Sequence, residues 1–217
     1  MNVLAVDVGG RHVKALAQGQ SERRKFKSGP DLTPELMVEG TLELVQDWDF
    51  DHITVGVPGP VADGVVTREP VNLGPGWKGF DFEAAFDRPT KVVNDAVMQA
   101  IGSYHGGRML YLGLGTGLGS TMIVDDVIVP MELGHLPFRR ATFEEYVGRA
   151  GRARLGPKRW RESVLQTLDF LTNALLPDYV MLGGGLADEL EGLPEDVVVG
   201  GNELAFVGGF RLWENQG

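Results

Sequence analysis

The sequence predicts an α/β protein made of two similar halves, and three features predict it. Two glycine-rich turns, Asp7-Val-Gly-Gly-Arg11 and Gly113-Leu-Gly-Thr-Gly-Leu-Gly119, each follow a short apolar strand, Val3–Val6 and Met109–Leu112. The turns are separated by about a hundred residues, enough for one small domain each. After each turn, strand-like and helix-like stretches alternate, which is the α/β pattern.

Taken in order, residues 2–8 read as a buried strand, with Val13–Leu16 as its hairpin partner across Gly9-Gly10. Residues 20–31 are polar and basic and read as a surface strand or loop. Thr33-Pro-Glu has helix-start chemistry, a threonine cap followed by proline at the first helical position, and predicts a helix to about Trp48. Ile53–Val57 is a strand stopped by Pro58-Gly-Pro60, and 61–79 alternate short strands with turns. Lys91–Val93 is a strand, and Asn94-Asp95 caps a helix over about 96–104. His105-Gly-Gly107 marks the boundary between the halves. Strands follow at 109–114, 121–124 and 127–130, the last two joined at Asp125-Asp126. Helices are expected at 142–151 and 159–176, the second with Val164, Leu165, Leu168, Leu171 and Leu175 on one stripe. Tyr179–Leu182 is a buried strand ending in Gly183-Gly-Gly185, and a last helix covers about 203–213. The expected domains are 1–106, 107–202 and a C-terminal helix, 203–217, returning to the first half.

Bulk properties narrow the function. The chain has 217 residues, 43% hydrophobic and 23% charged, which is ordinary for a globular protein. The absence of cysteine removes disulfides, cysteine zinc sites and thiol nucleophiles, and fits a cytoplasmic chain. A net charge of −10 argues against non-specific nucleic-acid binding. No signal peptide and no membrane-length apolar run are expected.

The motifs point to phosphate. Glycine turns let backbone N–H groups approach a ligand, and rows of N–H groups bind phosphate oxygens. Asp7 sits beside the first turn as a candidate Mg2+ ligand, acting with the substrate's own phosphates; an ordinary hairpin turn is the equal alternative. The second turn is neither the dinucleotide fingerprint nor a P-loop, and Thr116 offers it a hydroxyl; a bulged hairpin is its plain structural reading. Asn94 and Asp95 fit a helix cap, yet one polar side chain suffices for a cap. That leaves Asp95 as a candidate general base and Asn94 as a ligand for a neighbouring hydroxyl. Glu132 and His135 are spaced to converge on a polyhydroxy ligand. Gly183-Gly-Gly185 allows close approach of a nucleoside or forms a simple turn.

With Asp7-Val-Gly-Gly, Val57-Pro-Gly-Pro60, Asn94-Asp95-Ala96, Leu112–Gly119, Glu132-Leu-Gly-His135, Leu182–Gly185 and Val207-Gly-Gly-Phe210 in this order, nearly the whole chain resembles the ROK family of sugar kinases. The cysteine-free Val129–Pro137 stretch is most similar to the polyphosphate/ATP glucokinase branch. The resemblance implies a two-lobed, actin-like (ribonuclease H-like) fold with a central cleft. It implies Asp95 as catalytic base, and Asn94, Glu132, His135 and Glu144 as sugar ligands, Glu144 having Glu145 as a rival. It implies Asp7, Gly9, Gly10, Arg11, Lys14, Gly115, Thr116, Gly117, Gly184 and Gly185 on the donor side. Mg2+ at Asp7, ATP or polyphosphate as donor, and a homodimer are also implied.

The chain departs from the family at Arg11, where Thr or Ser is usual, in lacking a cysteine zinc site, and in a short second half, between His135 and Gly183. A catalytically weak sugar-binding or sensor protein is therefore the second reading. An actin-like phosphohydrolase or acetate-kinase-like enzyme is the third, and Glu132-Leu-Gly-His135 speaks against it. The family's repressors carry an added N-terminal DNA-binding segment, which this sequence is expected to lack.

Overall fold

The computed structural model describes residues 1–201 and 203–214, and the chain divides into two compact units. One comprises Met1–Gly102 and the chain from Ala205 on; the other is Ser103–Leu204. Residue 202, the end of the expected second domain, and residues 215–217, the end of the expected C-terminal segment, lie outside the described residues.

The first unit contains β1 (Val3–Val8), β2 (His12–Ala17), β3 (Arg24–Lys27), α1 (Pro34–Leu44), β4 (His52–Val57), the small hairpin β5 (Val61–Ala62) and β6 (Val65–Val66), α2 (Phe82–Phe86), β7 (Thr90–Asn94) and α3 (Asp95–Ser103). The second contains β8 (Arg108–Leu114), β9 (Leu118–Val124), β10 (Val127–Met131), the hairpin β11 (Pro137–Phe138) and β12 (Ala141–Thr142), α4 (Phe143–Val147), α5 (Arg149–Leu175), β13 (Tyr179–Gly183) and β14 (Val197–Val199). The last helix, α6 (Leu204–Glu214), belongs almost entirely to the first unit.

Both main sheets have the same plan. In the first the order is β3-β2-β1-β4-β7, and in the second β10-β9-β8-β13-β14. Each opens with an antiparallel meander and continues with two parallel strands. Parallel neighbours need crossovers, and α1, α2, α5 and the intervening loops supply them. The buried runs Val3–Val6 and Met109–Leu112 form the central strands of their sheets, consistent with unbroken apolar sequence.

Each unit has its own core. Leu4, Val6, Val55, Met37, Trp77 and Phe86 anchor the first. Leu110, Leu112, Trp160, Val164, Leu168 and Leu171 anchor the second. Helix α6 lies on α3 and the first sheet. Thr54 Oγ1 donates to the Gly209 carbonyl at 2.8 Å, and Trp213 Nε1 donates to Thr54 Oγ1 at 2.9 Å. Lys91 Nζ donates to the Leu212 carbonyl at 2.7 Å and lies 4.4 Å from the Trp213 ring centroid.

Several elements differ from the expected boundaries. Thr33 caps α1 through the Leu36 N–H, but the helix ends at Leu44, and Asp47 and Trp48 beyond it contact Arg24 of β3. Helix α2 and strand β14 went unforeseen; at five and three residues they are too short to carry a period. The second glycine turn narrows to residues 115–117, since Leu118 and Gly119 join β9. The expected 142–151 helix stops at Val147, and Gly148 is extended. Helix α5 starts earlier than expected and breaks at Gly156 (φ 73°), just before Pro157.

Candidate functional site

In the first unit, Asp7 and Lys14 are directly opposite each other across β1 and β2. Lys14 Nζ donates to Asp7 Oδ2 at 2.8 Å, and both side chains are mostly shielded. Beyond them the chain turns at residues 9–11. The Gly9 N–H closes that turn onto the His12 carbonyl at 3.0 Å, and Ser28 clamps it from outside, its N–H on the Arg11 carbonyl at 3.0 Å and its hydroxyl on the Gly9 carbonyl. The Gly9 amide is therefore engaged, and the amides of Gly10 and Arg11 are the candidates for phosphate. Arg11 is exposed at the tip. Ser28 was not foreseen; nothing in its surroundings marks it.

Asn94 and Asp95 stand where β7 becomes α3, and they have different tasks. Asn94 Oδ1 accepts the Ala96 and Val97 N–H groups at 2.9 and 3.3 Å, and Nδ2 donates to the Gly59 carbonyl at 2.9 Å. Asn94 thus caps the helix and ties it to the Pro58-Gly59-Pro60 turn, leaving one amide hydrogen for a ligand. Asp95 is half-buried, and its Oδ1 accepts the Ala96 N–H at 2.8 Å. Gly56 of β4 fixes how closely α3 approaches the sheet: a Cβ there would come within 2.5 Å of Met98 Cε and 3.5 Å of Asp95 Cα.

In the second unit the tip at 115–117 closes on itself, Gly115 N–H to the Gly117 carbonyl at 3.1 Å. The Gly115 amide is engaged like that of Gly9, so Thr116 and Gly117 are the phosphate-facing candidates. The first amide of α5, on Arg149, bonds the Gly115 carbonyl at 3.0 Å and the Thr116 carbonyl at 3.3 Å. Thr116 is exposed. Gly184 (φ 82°) stacks on the base of this hairpin, where a Cβ would meet Leu114 backbone, while Gly185 and Gly115 face open space.

Glu132, His135 and Glu144 are brought to the same tip. Ser120 Oγ donates to the Met131 carbonyl and accepts the Leu133 N–H, both at 3.0 Å, which pins the stretch carrying Glu132 to β9. The His135 N–H donates to the Glu132 carbonyl at 3.2 Å, so both belong to one tight turn. Glu144 Oε1 lies 3.7 Å from His135 Nε2. A Cβ on Gly117 would land on the Glu144 carboxylate, and one on Gly134 would lie 3.4 Å from Glu144 Cβ. Glu145 turns away: its carboxylate accepts the Thr142 N–H and hydroxyl, each at 3.0 Å. The signal that separates the two glutamates was in the sequence, since Thr142-Phe-Glu-Glu145 is a capping-box pattern.

Among the described residues, no group of three or more His, Asp or Glu side chains could hold a metal ion. Mg2+ commonly takes one or two protein carboxylates and completes its shell with phosphate oxygens and water. Asp7 beside a phosphate-type turn fits that mode and does not fit a stand-alone metal cage. Among the described residues no helix is long and apolar enough to cross a membrane.

Comparison with known proteins agrees with these features. No family model matches the chain. A glucokinase of Pyrobaculum calidifontis is 31% identical, over 92% of this chain and 78% of its own. A polyphosphate glucokinase of Mycobacterium tuberculosis is 27% identical, over 84% and 77%. Among solved structures, the inorganic polyphosphate/ATP-glucomannokinase of an Arthrobacter strain superposes with a TM-score of 0.87 at 25% identity, covering 100% of this chain and 99% of that one. A ROK family glucokinase from Streptomyces griseus gives 0.80 at 18% identity, covering 98% and 99%, and shares the fold. The matched sheet orders, the two glycine tips and the first of these relatives together establish that the chain belongs to the ROK family of sugar kinases, with the two-lobed actin-like fold.

Proposed function

We propose that the chain is a hexose kinase that moves a phosphoryl group from ATP or polyphosphate to a hydroxyl of a glucose-like sugar, with Asp95 as general base. The observation that carries this reading is the division of labour at residues 94 and 95. Asn94 tethers α3 to the Gly59 carbonyl and accepts the Ala96 and Val97 N–H groups, while Asp95 shares the Ala96 N–H through Oδ1 at the start of the helix.

Phosphoryl transfer depends on positioning and charge neutralisation more than on covalent help from the protein. The sugar oxygen bonds to the terminal phosphorus as the donor's bridging P–O bond breaks, and the hydroxyl proton passes to Asp95. ADP, or a polyphosphate one unit shorter, departs. Lys14, Arg11 and the free amides of the two glycine tips oppose the donor's charge, with Glu132, His135 and Glu144 orienting the other hydroxyls. Mg2+ carried in with the donor and held by Asp7 would supply further neutralisation.

The test is a transfer assay crossing several hexoses with ATP and polyphosphate, run on the native chain and on Asp95→Asn. Loss of a general base lowers kcat by roughly 10²–10⁴-fold, while hexose binding measured calorimetrically stays within a few-fold. Near-native turnover in Asp95→Asn would remove the residue from this role. The exposed Arg11 in the donor turn favours a second reading, a sugar sensor; hexose-dependent thermal stabilisation without transfer from either donor would select it.

A further inference from the structure

The far edge of the first sheet is basic in a chain whose net charge is −10. Strands β2 and β3 pair so that Lys14 is opposite Lys25 and His12 opposite Lys27. The alternate pair, Val13 with Phe26, faces the core, where Phe26 packs against Gly40 of α1. Lys14, Lys25, His12 and Lys27 therefore share the other face, in two rows about 4.8 Å apart. Arg11, exposed in the turn that precedes His12, adds a positive charge beside the Gly9–Gly10 tip. Lys25 and Lys27 are exposed, and among the described residues neither forms an ion pair. Asp7 is the acid that pairs with Lys14.

Like charges directly opposite each other across strands are destabilising. Lysines on an edge strand do discourage edge-to-edge pairing, and that explains Lys25 and Lys27 taken alone. It does not explain why Lys25 lies opposite a lysine on the inner strand, or why the face continues to Arg11 at a phosphate-type turn. A multivalent anion lying along the face explains both, because it turns the repulsive rows into a binding surface.

We propose that this face is a track for linear inorganic polyphosphate, entering from the Gly9–Arg11 tip and crossing β2 to β3. The proposal rests on the donor reading above and deepens it. A chain that crosses from β2 to β3 passes from His12 and Lys14 to Lys27 and Lys25, and a longer chain engages these outer lysines more fully than a triphosphate held at the tip. The outer lysines would thus favour long-chain donors over short ones.

The experiment uses the full chain and the double variant Lys25→Gln/Lys27→Gln. Binding of fluorescently labelled long-chain polyphosphate is measured by anisotropy at two salt concentrations, with tripolyphosphate as the short competitor. Two exposed contacts predict about three- to tenfold weaker binding of the long chain in the variant, with a shallower salt dependence. Tripolyphosphate affinity and the KM for ATP should change less than long-chain affinity does; an equal loss for short and long chains would overturn the track. Long-chain polyphosphate should also raise the melting temperature of the native chain more than that of the variant. Equal long-chain affinity in the two proteins, or no binding by the native chain, would overturn the track. Because binding is read without turnover, a chain that binds polyphosphate through these lysines yet transfers to no sugar would overturn the kinase reading and leave the track standing.

Discussion

At Asn94, each side-chain atom has a geometric assignment, and that makes the position informative. Removing the carboxamide strips the α3 cap and leaves the Gly59 carbonyl without its donor. Asn94→Ala should lower stability by about 1–2 kcal/mol, seen as a lower denaturation midpoint in urea. It should also lower kcat, because Asp95 sits on the loosened turn. A second residue-scale prediction concerns Gly117, whose missing side chain leaves the space that the Glu144 carboxylate occupies. Gly117 has no positive φ, so alanine is allowed by the backbone and the clash falls on Glu144 alone. Gly117→Ala should raise the hexose KM with little change in melting temperature, and Glu144→Gln should reproduce the KM effect. A large fall in melting temperature, with hexose KM unchanged, would contradict this assignment.

At the scale of elements, the first unit depends on how its helices approach the sheet. Gly208 of α6 lies against the Met98 carbonyl and the Gly102 amide of α3, and a Cβ on Gly209 would come within 2.7 Å of Ala5 Cβ. Because the obstacle at Gly208 is backbone, Gly208→Ala must push α6 away; such overpacking costs about 1–3 kcal/mol, readable as a lower melting temperature. The link from β3 to the end of α1 is electrostatic. The Arg24 guanidinium holds the Asp47 carboxyl down at about 2, below its ordinary 3.8. A depressed carboxylate contributes stability above its unfolded pKa and loses it as pH falls through the folded value. This contribution is therefore full above about pH 4 and gone near pH 2. Thermal melts across that window should fall less steeply for Arg24→Gln than for the native chain. The same link shows what sequence reading missed: the period of α1 continues towards Trp48, while in the structure the helix is capped at Val45 and the residues beyond it contact the distant Arg24. By contrast, the Thr33-Pro-Glu start was legible because a cap is local chemistry. The 94–95 pair was legible as a cap but not as a division of labour, since the Gly59 partner is 35 residues away in sequence.

For the molecule as a whole, the repeated sheet order was legible from two strand–glycine units, because a buried central strand and its turn leave a contiguous signature. The edges were less legible: β14 is a three-residue strand specified by its partner β13, and α2 is set by one aspartate cap. The chain's path adds a constraint of its own. Helix α6 covers Ala5, Thr54 and Met98 of the first unit, yet it is made only after the whole of the second unit. The first unit therefore cannot complete its packing until the last residues exist, whereas the second unit, 103–204, is continuous. Deleting residues 204–217 should expose the small-residue surface of β1, β4 and α3 that α6 normally seals. In amide hydrogen exchange, those elements should lose protection, while β8, β9 and β13 keep theirs, since local stability follows the contacts each element retains. Uniform loss of protection across both sheets would instead mean that the two units fold as one cooperative body and that α6 stabilises both.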